Sequence, residues 1–289
     1  MLYDVRHRTT FEYEDIVSIA HHMLHLKPRN RTGQRRLSYQ LQLHPEPAVS
    51  TERQDYFGNF AQYLTLQTPH KEFVAESRSR VEVAMPAPAN LSSTRPWETL
   101  VHGALRDTLT YQEYCYPSPL VDTGTSLRDY AATSFQPGRP ILEAAMELTS
   151  RIFSEFEYRG GVSDVSTPVT QVLKMRQGVC QDFAHLQIAC LRSLGLAARY
   201  VSGYLLTHPP EGEQKMVGAD ASHAWLSVWS GSEWVDFDPT NNLIPTTEHV
   251  TIGWGRDYGD VSPTTGFIIG GGGHTVVVSV DVNPVTSET

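Results

Sequence analysis

The chain has 289 residues, of which 40% are hydrophobic and 19% are charged, and its formal net charge is −9. This length can bury a substantial core in one or two domains. The negative charge argues against nucleic acid as a partner, because such binding depends on neutralising phosphates, and argues more weakly against docking on anionic membranes.

Hydropathy and cysteine usage indicate a protein of a reducing compartment. No run of about 20 apolar residues predicts a membrane span, and residues 1–10 are charged and strand-like, unlike a secretory signal. Cys180 and Cys190 lie ten residues apart on one predicted helix, which is about 15 Å by helical rise and too far for a disulfide. With Cys115 as the third cysteine, we expect free thiols and a cytoplasmic location.

The first part of the chain is predicted to be a β-rich region over residues 1–85. Hydrophobic residues alternate over 37–43 and again over 79–85, and residues 61–66 are also strand-like. Residues 86–96 hold three prolines among small and polar residues, which predicts a linker.

Residues 97–289 are predicted to form a second unit, in which helices and strands are mixed. Apolar residues recur at helical spacing over 142–156. Residues 196–206 and 276–282 are predicted to be strands. The polar segment 207–220 contains Pro and Gly and is predicted to be a loop over the mouth of a site.

The pattern after Cys180 predicts a largely buried helix that begins at this cysteine. Phe183, Leu186 and Cys190 repeat at three to four residues, and Gly195 is a natural helix stop in the left-handed conformation. Unpaired backbone N–H groups and the helix dipole at such a start favour a thiolate. Cys180 is therefore a candidate nucleophile, whereas Cys190 is predicted to be structural.

A predicted hairpin places a histidine and an aspartate on one face. Residues 224–229 and 234–238 alternate, and Gly231-Ser232 suits a two-residue turn with Gly first, which pairs position 230 with 233. In that register His223 and Asp238 are diagonal neighbours, about 7–8 Å apart at the backbone and within side-chain reach. A slip by one residue would separate them and break up the apolar face of the hairpin.

A cysteine, a histidine and an aspartate together can carry out acyl chemistry. His223 can take the thiol proton of Cys180 and deliver it to a leaving amine. Asp238 can fix the imidazole tautomer, and the backbone N–H of Cys180 is a candidate donor to the oxyanion. Each residue also has a structural interpretation, as a buried thiol, a packed histidine or a turn-forming aspartate. The shared face of the hairpin favours the catalytic interpretation.

Three further residues are candidates for the substrate pocket. Trp225 is expected either to wall the pocket or to pack in the core. Asp182 lies in the first turn of the helix, where capping is favoured over a direct catalytic role. Arg256 is expected either to pair with Asp257, which we favour, or to line the cleft.

No metal ion or other cofactor is expected. His21, His22 and His25 have no cysteine partner and no zinc-protease spacing. Residues 270–273 are rich in glycine but lack the Lys-Ser/Thr of a phosphate loop. The chemistry is therefore expected to depend on side chains alone.

The three candidate residues lie in motifs that resemble the bacterial transglutaminase-like superfamily. The stretch MRQGVCQDFAHLQIACLRSLGLAARYVSGY, residues 175–204, resembles its nucleophile region. DASHAW, from Asp220, and WVDFDPTN, from Trp234, resemble its histidine and aspartate motifs. The resemblance implies Cys180 as nucleophile, His223 as base and Asp238 as the orienting residue.

The resemblance extends over nearly the whole chain. Tyr13-Glu14, Leu26-Lys27-Pro28-Arg29 and Asp55-Tyr56-Phe57-Gly58-Asn59 resemble the amino-terminal region of one bacterial branch, and residues 255–263 resemble a later piece of it. The resemblance implies an α+β fold with a papain-like transglutaminase core, in which the nucleophile helix packs on an antiparallel sheet. A β-rich amino-terminal domain precedes this core, which is expected to span residues 97–289.

The motifs leave three functions open. We expect hydrolysis of a peptide or isopeptide amide, as in a cysteine protease or amidase. Transfer to an amine, as in a transglutaminase, is the first alternative, because both reactions share a thioester intermediate; cross-linking also needs an acceptor site that excludes water. A non-catalytic binding or assembly module is the second, since the amino-terminal β region is a candidate surface for recruiting a protein partner.

Overall fold

The amino-terminal part of the chain is a β-sheet built around one long strand. A computed structural model describes residues 1–84, 90–102, 109–208 and 221–285. The first strands are β1 (Leu2–Leu24), β2 (Gln34–His44), β3 (Val49–Gln54), β4 (Phe60–Leu66) and β5 (His70–Val83). The first half of β1 pairs with β5 and the second half with β4, while β2 and β3 pair on their outer sides.

The second unit packs helices against an antiparallel sheet. Its helices are α1 (Glu98–His102), α2 (Leu109–Gln112), α3 (Thr125–Ala132), α4 (Ile141–Glu155), α5 (Val169–Met175) and α6 (Cys180–Ser193). A short parallel pair, β6 (Glu157–Tyr158) and β7 (Gln177–Gly178), precedes α6. The sheet has the order β10-β9-β8-β11, formed by β8 (Ala198–Leu205), β9 (Ala221–Trp229), β10 (Trp234–Phe237) and β11 (His249–Gly255). Among the described residues, no helix is long and apolar enough to cross a membrane.

Helix α6 lies at the centre of this unit. It contacts α3, α4 and α5 as well as the sheet strands β8 and β9, and Leu186, Ile188 and Cys190 are completely buried. The helix ends as its sequence predicts: Gly195 has a φ of 82°, and the N–H of Leu196 bonds back to the last turn of the helix. Burial on several sides fixes the position of the first residue of α6, Cys180.

The predicted hairpin register is confirmed in β9 and β10. Trp229 pairs with Trp234, and Leu226 pairs with Phe237. Gly231 has a φ of 97° in the turn, a conformation that glycine adopts without strain. The ladder ends at Phe237, so Asp238 does not pair with β9.

Two strands near the end of the chain return to the amino-terminal sheet. β12 (Thr264–Gly270) pairs with the second half of β1, and β13 (His274–Pro284) pairs with its first half. The sequence predicts that residues 97–289 all belong to the core unit, but these two strands pair with the amino-terminal sheet. The division into an amino-terminal region, a linker and a core remains a prediction.

A shared apolar core joins the two units. Tyr3 and Val81 of the amino-terminal sheet, Tyr204 and Val250 of the core sheet, and Val282 of β13 belong to one buried cluster. Because β13 packs on both β8 and β9, its position relative to the core sheet is set by close packing. The amino-terminal sheet therefore stands at a defined place beside the core.

Most of the predicted elements lie where the sequence placed them. Residues 37–43 and 61–66 lie within β2 and β4, and α4 begins one residue before the predicted helix 142–156. The strand predicted for 196–206 corresponds to β8, and that for 276–282 to β13. Residues 85–89, in the predicted linker, and 209–220, in the predicted loop, lie outside the described residues.

Candidate active site

Cys180 is the first residue of α6, and Asp182 caps the helix that carries it. The Asp182 carboxylate accepts a hydrogen bond from the backbone N–H of Val179 at 2.8 Å and one from the Ser163 hydroxyl at 2.6 Å. Asp182 is buried and does not line the cleft beside Cys180. Its observed contacts are those of a capping residue, which was the favoured prediction.

His223 and Asp238 are in direct contact. His223 lies on β9, where it pairs with Gly203 of β8, and its Nε2 lies 2.7 Å from Oδ2 of Asp238. Asp238 follows the end of β10, and its backbone exchanges two hydrogen bonds with Leu243. The aspartate thus leaves the hairpin ladder in a tight turn, which brings its side chain under the imidazole.

Hydrogen bonds and neighbouring charges together outweigh burial for both members of this pair. Burial lowers the pKa of His223, but the hydrogen bonds to Asp238 and Cys180 and the charges of both groups raise it to about 10. Burial also raises the pKa of Asp238, whereas the hydrogen bonds from His223, His249 and Asn241 bring it far below its ordinary value. The site therefore favours an imidazolium between Cys180 and a carboxylate.

Two neighbours of Asp238 were not predicted from the sequence. His249, on β11, places its Nε2 3.1 Å from Oδ2 of Asp238, and Asn241 donates from Nδ2 to the same oxygen at 2.7 Å. Asn241 was visible in the motif that begins at Trp234, three residues after the aspartate. His249 has no local signal, because it reaches the site only through the pairing of β11 with β8.

Three of these side chains also have the composition of a metal-binding group. Among the described residues, the ligand atoms of His223, Asp238 and His249 lie within 4.8 Å of one another. Both Nε2 atoms already contact Oδ2 of Asp238, so an ion would have to replace those hydrogen bonds. Metal binding there and the imidazolium–carboxylate pair therefore exclude each other.

A cleft of about 600 Å³ contains both Cys180 and His223. The core contributes the start of α6, parts of β8 and β9, including Tyr200 of β8, and Tyr258, which follows β11. The opposite side consists of residues from β1 and β13. The amino-terminal sheet thus forms one side of the cleft, a role that the sequence did not reveal.

Trp225 does not line this cleft. The indole is completely buried and donates from Nε1 to Asp236 at 3.3 Å. Its ring centroid lies 6.0 Å from that of His223 and 5.1 Å from that of His249. Of the two roles considered, packing agrees with this position, because the indole lies among the residues around the imidazole.

Arg256 also has structural partners. It forms an ion pair with Asp260, in which Nε and Nη2 each lie 2.9 Å from a carboxylate oxygen. The predicted pairing with Asp257 was therefore wrong. Asp257 is buried and accepts backbone N–H groups of Leu120 and Gly259. Neither Arg256 nor Asp257 lines the cleft.

The other cysteines and the three amino-terminal histidines lie elsewhere. Cys190 is buried, which raises the pKa of its thiol to about 12, and none of the three cysteines forms a disulfide bond. His22 stacks on Phe73 with a centroid distance of 4.4 Å. His21 and His22 are successive residues of β1 and so point to opposite faces. They therefore do not converge with His25 on a common ion.

Two family models match separate parts of the chain. A family model for the bacterial transglutaminase-like N-terminal region matches residues 3–82, and one for the transglutaminase-like superfamily matches residues 128–239. An uncharacterized protein of Mycobacterium tuberculosis is 42% identical, and the alignment covers 98% of this chain and 92% of that protein. An uncharacterized protein of Mycobacterium leprae is 32% identical, and the alignment covers 96% of this chain and 97% of that protein.

A solved structure is similar over the full length of the chain. It comes from Cytophaga hutchinsonii and is described as a candidate cysteine protease. Its TM-score is 0.80 and its sequence identity is 21%, and the superposition covers all of this chain and 92% of the other. At this identity the likeness concerns the fold, which is the papain-like transglutaminase fold with a β-rich amino-terminal region. The family matches and the mycobacterial relatives show that the chain belongs to the transglutaminase-like superfamily.

Proposed function

We propose that the protein performs cysteine-dependent acyl chemistry on a peptide or isopeptide amide, with hydrolysis as the main outcome. One observation carries the proposal: Cys180, at the start of α6, and His223 line the same cleft, and Nε2 of His223 lies 2.7 Å from Oδ2 of Asp238. This arrangement supplies a nucleophile, a base and an orienting carboxylate.

In the acylation step, His223 takes the proton of the Cys180 thiol and Sγ bonds to the amide carbon. The tetrahedral intermediate collapses as the C–N bond breaks, and the imidazolium returns the proton to the leaving amine. The backbone N–H of Cys180 is one candidate donor to the developing oxyanion. Tyr200 is a second candidate donor, because burial and the nearby Cys180 raise the pKa of its phenol and keep it protonated.

In the deacylation step, water attacks the thioester with His223 as base and releases the acid and the free thiol. Transfer to an amine would use the same thioester, so the triad alone permits both outcomes. Hydrolysis is favoured because a transfer enzyme must exclude water from its acceptor site. Here Val276 and Val278, which line the cleft, are about half exposed.

The first experiment is site-resolved labelling with iodoacetamide, read by mass spectrometry. Cys180 should label much faster than Cys115, and this advantage should disappear in His223→Ala. The matched control is His208→Ala, which removes an exposed histidine paired with Glu248 and should leave the rate unchanged. Cys190 is completely buried, so any labelling of this residue reports unfolding in the same sample.

Turnover tests the same site with an acyl donor. Cys180→Ser and His223→Ala should each abolish release of p-nitrophenolate from an activated ester while leaving the fold intact. If Cys180 labels as slowly as Cys115, or if either variant keeps full turnover, the catalytic proposal is wrong. The outcome would then favour the alternative of a binding or assembly module.

Adding an amine separates hydrolysis from transfer. With hydrolysis dominant, an alkylamine should leave the free acid as the main product. A major amide product would favour the transglutaminase alternative. We further propose a cytoplasmic location, which is supported by three cysteines that form no disulfide bond, and a peptide or protein substrate rather than nucleic acid or membrane. The exposed side of the amino-terminal sheet is the proposed surface for a protein partner.

A further inference from the structure

The side of the cleft opposite Cys180 is a regular wall of two β-strands. Phe11 on β1 pairs with Val276 on β13, Thr9 with Val278, and His7 with Val280. Cross-strand partners share one face of a sheet, and so do alternate residues along each strand. All six side chains line the cleft, so we call them the valine wall.

The valine wall is buried at the end formed by His7 and Val280, and at its other end the β13 side is exposed. His7, Thr9 and Val280 are at most 3% exposed, whereas Val276 and Val278 are 48% and 49% exposed. Exposed β-branched side chains at this end lie within a concave site that also holds Cys180. They leave apolar surface available for an apolar group that enters the cleft.

Apart from the catalytic candidates Cys180 and His223, the described lining of the cleft carries no charged side chain. Among the described residues that line it, none is Asp, Glu, Lys or Arg. Burial lowers the pKa of His7 to about 4, so this member of the valine wall is neutral at physiological pH. A charged substrate side chain would lose water there without gaining a partner, whereas an aliphatic one would gain contacts.

We propose that the valine wall selects the acyl donor, binding an uncharged aliphatic side chain of the peptide beside the carbonyl that Cys180 attacks. The proposal rests on the proposed acyl chemistry of this site and adds its substrate class. Val276 and Val278 are the specificity-determining residues. Their place is fixed by the pairing of β13 with β1 and by the apolar core that holds β13 on the core sheet.

Peptidyl chloromethyl ketones that differ in one side chain test this selection. The Cys180 thiolate forms an Sγ–C bond as chloride leaves, and iodoacetamide measures the thiol's own reactivity in parallel. After division by the iodoacetamide rate, the leucyl probe should label Cys180 at least about ten-fold faster than the aspartyl or lysyl probe. Equal normalised rates for the three probes would overturn the proposal.

Val278→Asp should move the preference in a defined direction. The leucyl rate should fall about ten-fold and the lysyl rate should rise, with the iodoacetamide rate unchanged. Val277→Asp is the matched control, because Val277 neighbours Val278, is 59% exposed and lies on the opposite face of β13. It should leave all rates unchanged.

The outcomes also separate this proposal from the proposed chemistry. If Cys180 reacts with iodoacetamide in a His223-dependent way but Val278→Asp keeps the full leucyl preference, the valine wall does not select the substrate. If Cys180 is as slow as Cys115 towards iodoacetamide, the acyl chemistry itself fails. Should Val278→Asp unfold, as Cys190 labelling would show, the isosteric Val278→Thr replaces it; an unchanged leucyl preference there would equally overturn the proposal.

Discussion

Asp238 is surrounded by hydrogen-bond donors, and this makes Asp238→Asn a sharp test of the site. Oδ2 receives His223 Nε2 at 2.7 Å, His249 Nε2 at 3.1 Å and Asn241 Nδ2 at 2.7 Å. Oδ1 accepts the backbone N–H groups of Thr240 at 2.9 Å and Asn241 at 3.2 Å. A carboxylate can accept at both oxygens, whereas an amide has one accepting end and one donating end.

Either orientation of an asparagine at this position faces a donor. If its NH₂ group replaces Oδ2, Nε2 of His223 must become an acceptor, and the ring proton moves to Nδ1 on the side of Cys180. The imidazole can then no longer take the thiol proton. In serine triads the corresponding change lowers kcat by about 10⁴, which is about 5.4 kcal/mol of transition-state stabilisation.

The assay is acylation of Cys180 by the activated ester, with Asp236→Asn as control. Asp236 is also buried and belongs to a separate network, accepting from Arg31 at 2.7 Å and from Trp225. Both variants should lose about 3 kcal/mol or more of unfolding free energy, because each disrupts a buried charged group. Only Asp238→Asn should lose the rate. An unchanged rate in Asp238→Asn would mean that another residue orients His223.

The pH dependence of stability gives this prediction a second readout. Because its folded pKa is lowered, Asp238 contributes stability above its unfolded pKa of about 3.9, and that stability is lost as the pH falls further. The difference in unfolding free energy between wild type and Asp238→Asn should therefore be largest near neutral pH and shrink below about pH 4. A difference that is constant down to pH 3 would contradict the assigned charge state.

Three further predictions concern the surroundings of the site. Burial lowers the pKa of His7 to about 4, so the unfolded chain takes up a proton at a higher pH than the folded one. The unfolding free energy of the wild type should therefore fall by about 2 kcal/mol between pH 7 and pH 5 from this residue, and urea titrations should show a smaller fall for His7→Gln. Gly203→Ala would press a methyl group against the indole of Trp225, so we expect a loss of about 1–3 kcal/mol by urea unfolding, whereas Gly160→Ala, with open space around it, should be nearly neutral. Tyr200→Phe should lower ester turnover by about 10²–10³ if its hydroxyl serves the oxyanion, and an unchanged rate would leave the second donor elsewhere.

The catalytic candidates could be found from the sequence because local rules place them. The helix that starts at Cys180 follows from apolar spacing, and the register of the hairpin follows from Gly231-Ser232 and the alternation on either side. Register in turn decides which side chains share a face, and this brought His223 and Asp238 within reach. The turn after Phe237, which brings Asp238 into contact with His223, could not be predicted in this way. An alternating pattern does not show at which residue the pairing of two strands ends.

The contacts that hold the candidates in place depend on pairing between distant parts of the chain. His249 meets Asp238 because β11 pairs with β8. Arg31, between β1 and β2, reaches across to Asp236 at 2.7 Å. Neither residue lies in a periodic pattern that points to its partner. Such contacts follow from tertiary packing, which propensity and spacing do not determine.

The valine wall, on the proposed substrate side of the cleft, likewise combines a locally predictable strand with a position that depends on distant pairing. Residues 276–280 have the sequence VVVSV, in which valines occupy both faces, so the strand was predictable while its buried face was not. Its partner β1 lies at the other end of the chain. The groups proposed to do the chemistry therefore come from the core motifs, whereas the groups proposed to select the substrate come from the two ends of the sequence. Relatives that share the Cys-His-Asp motifs can accordingly differ in substrate through changes in β1 and β13 alone, without any change at Cys180, His223 or Asp238.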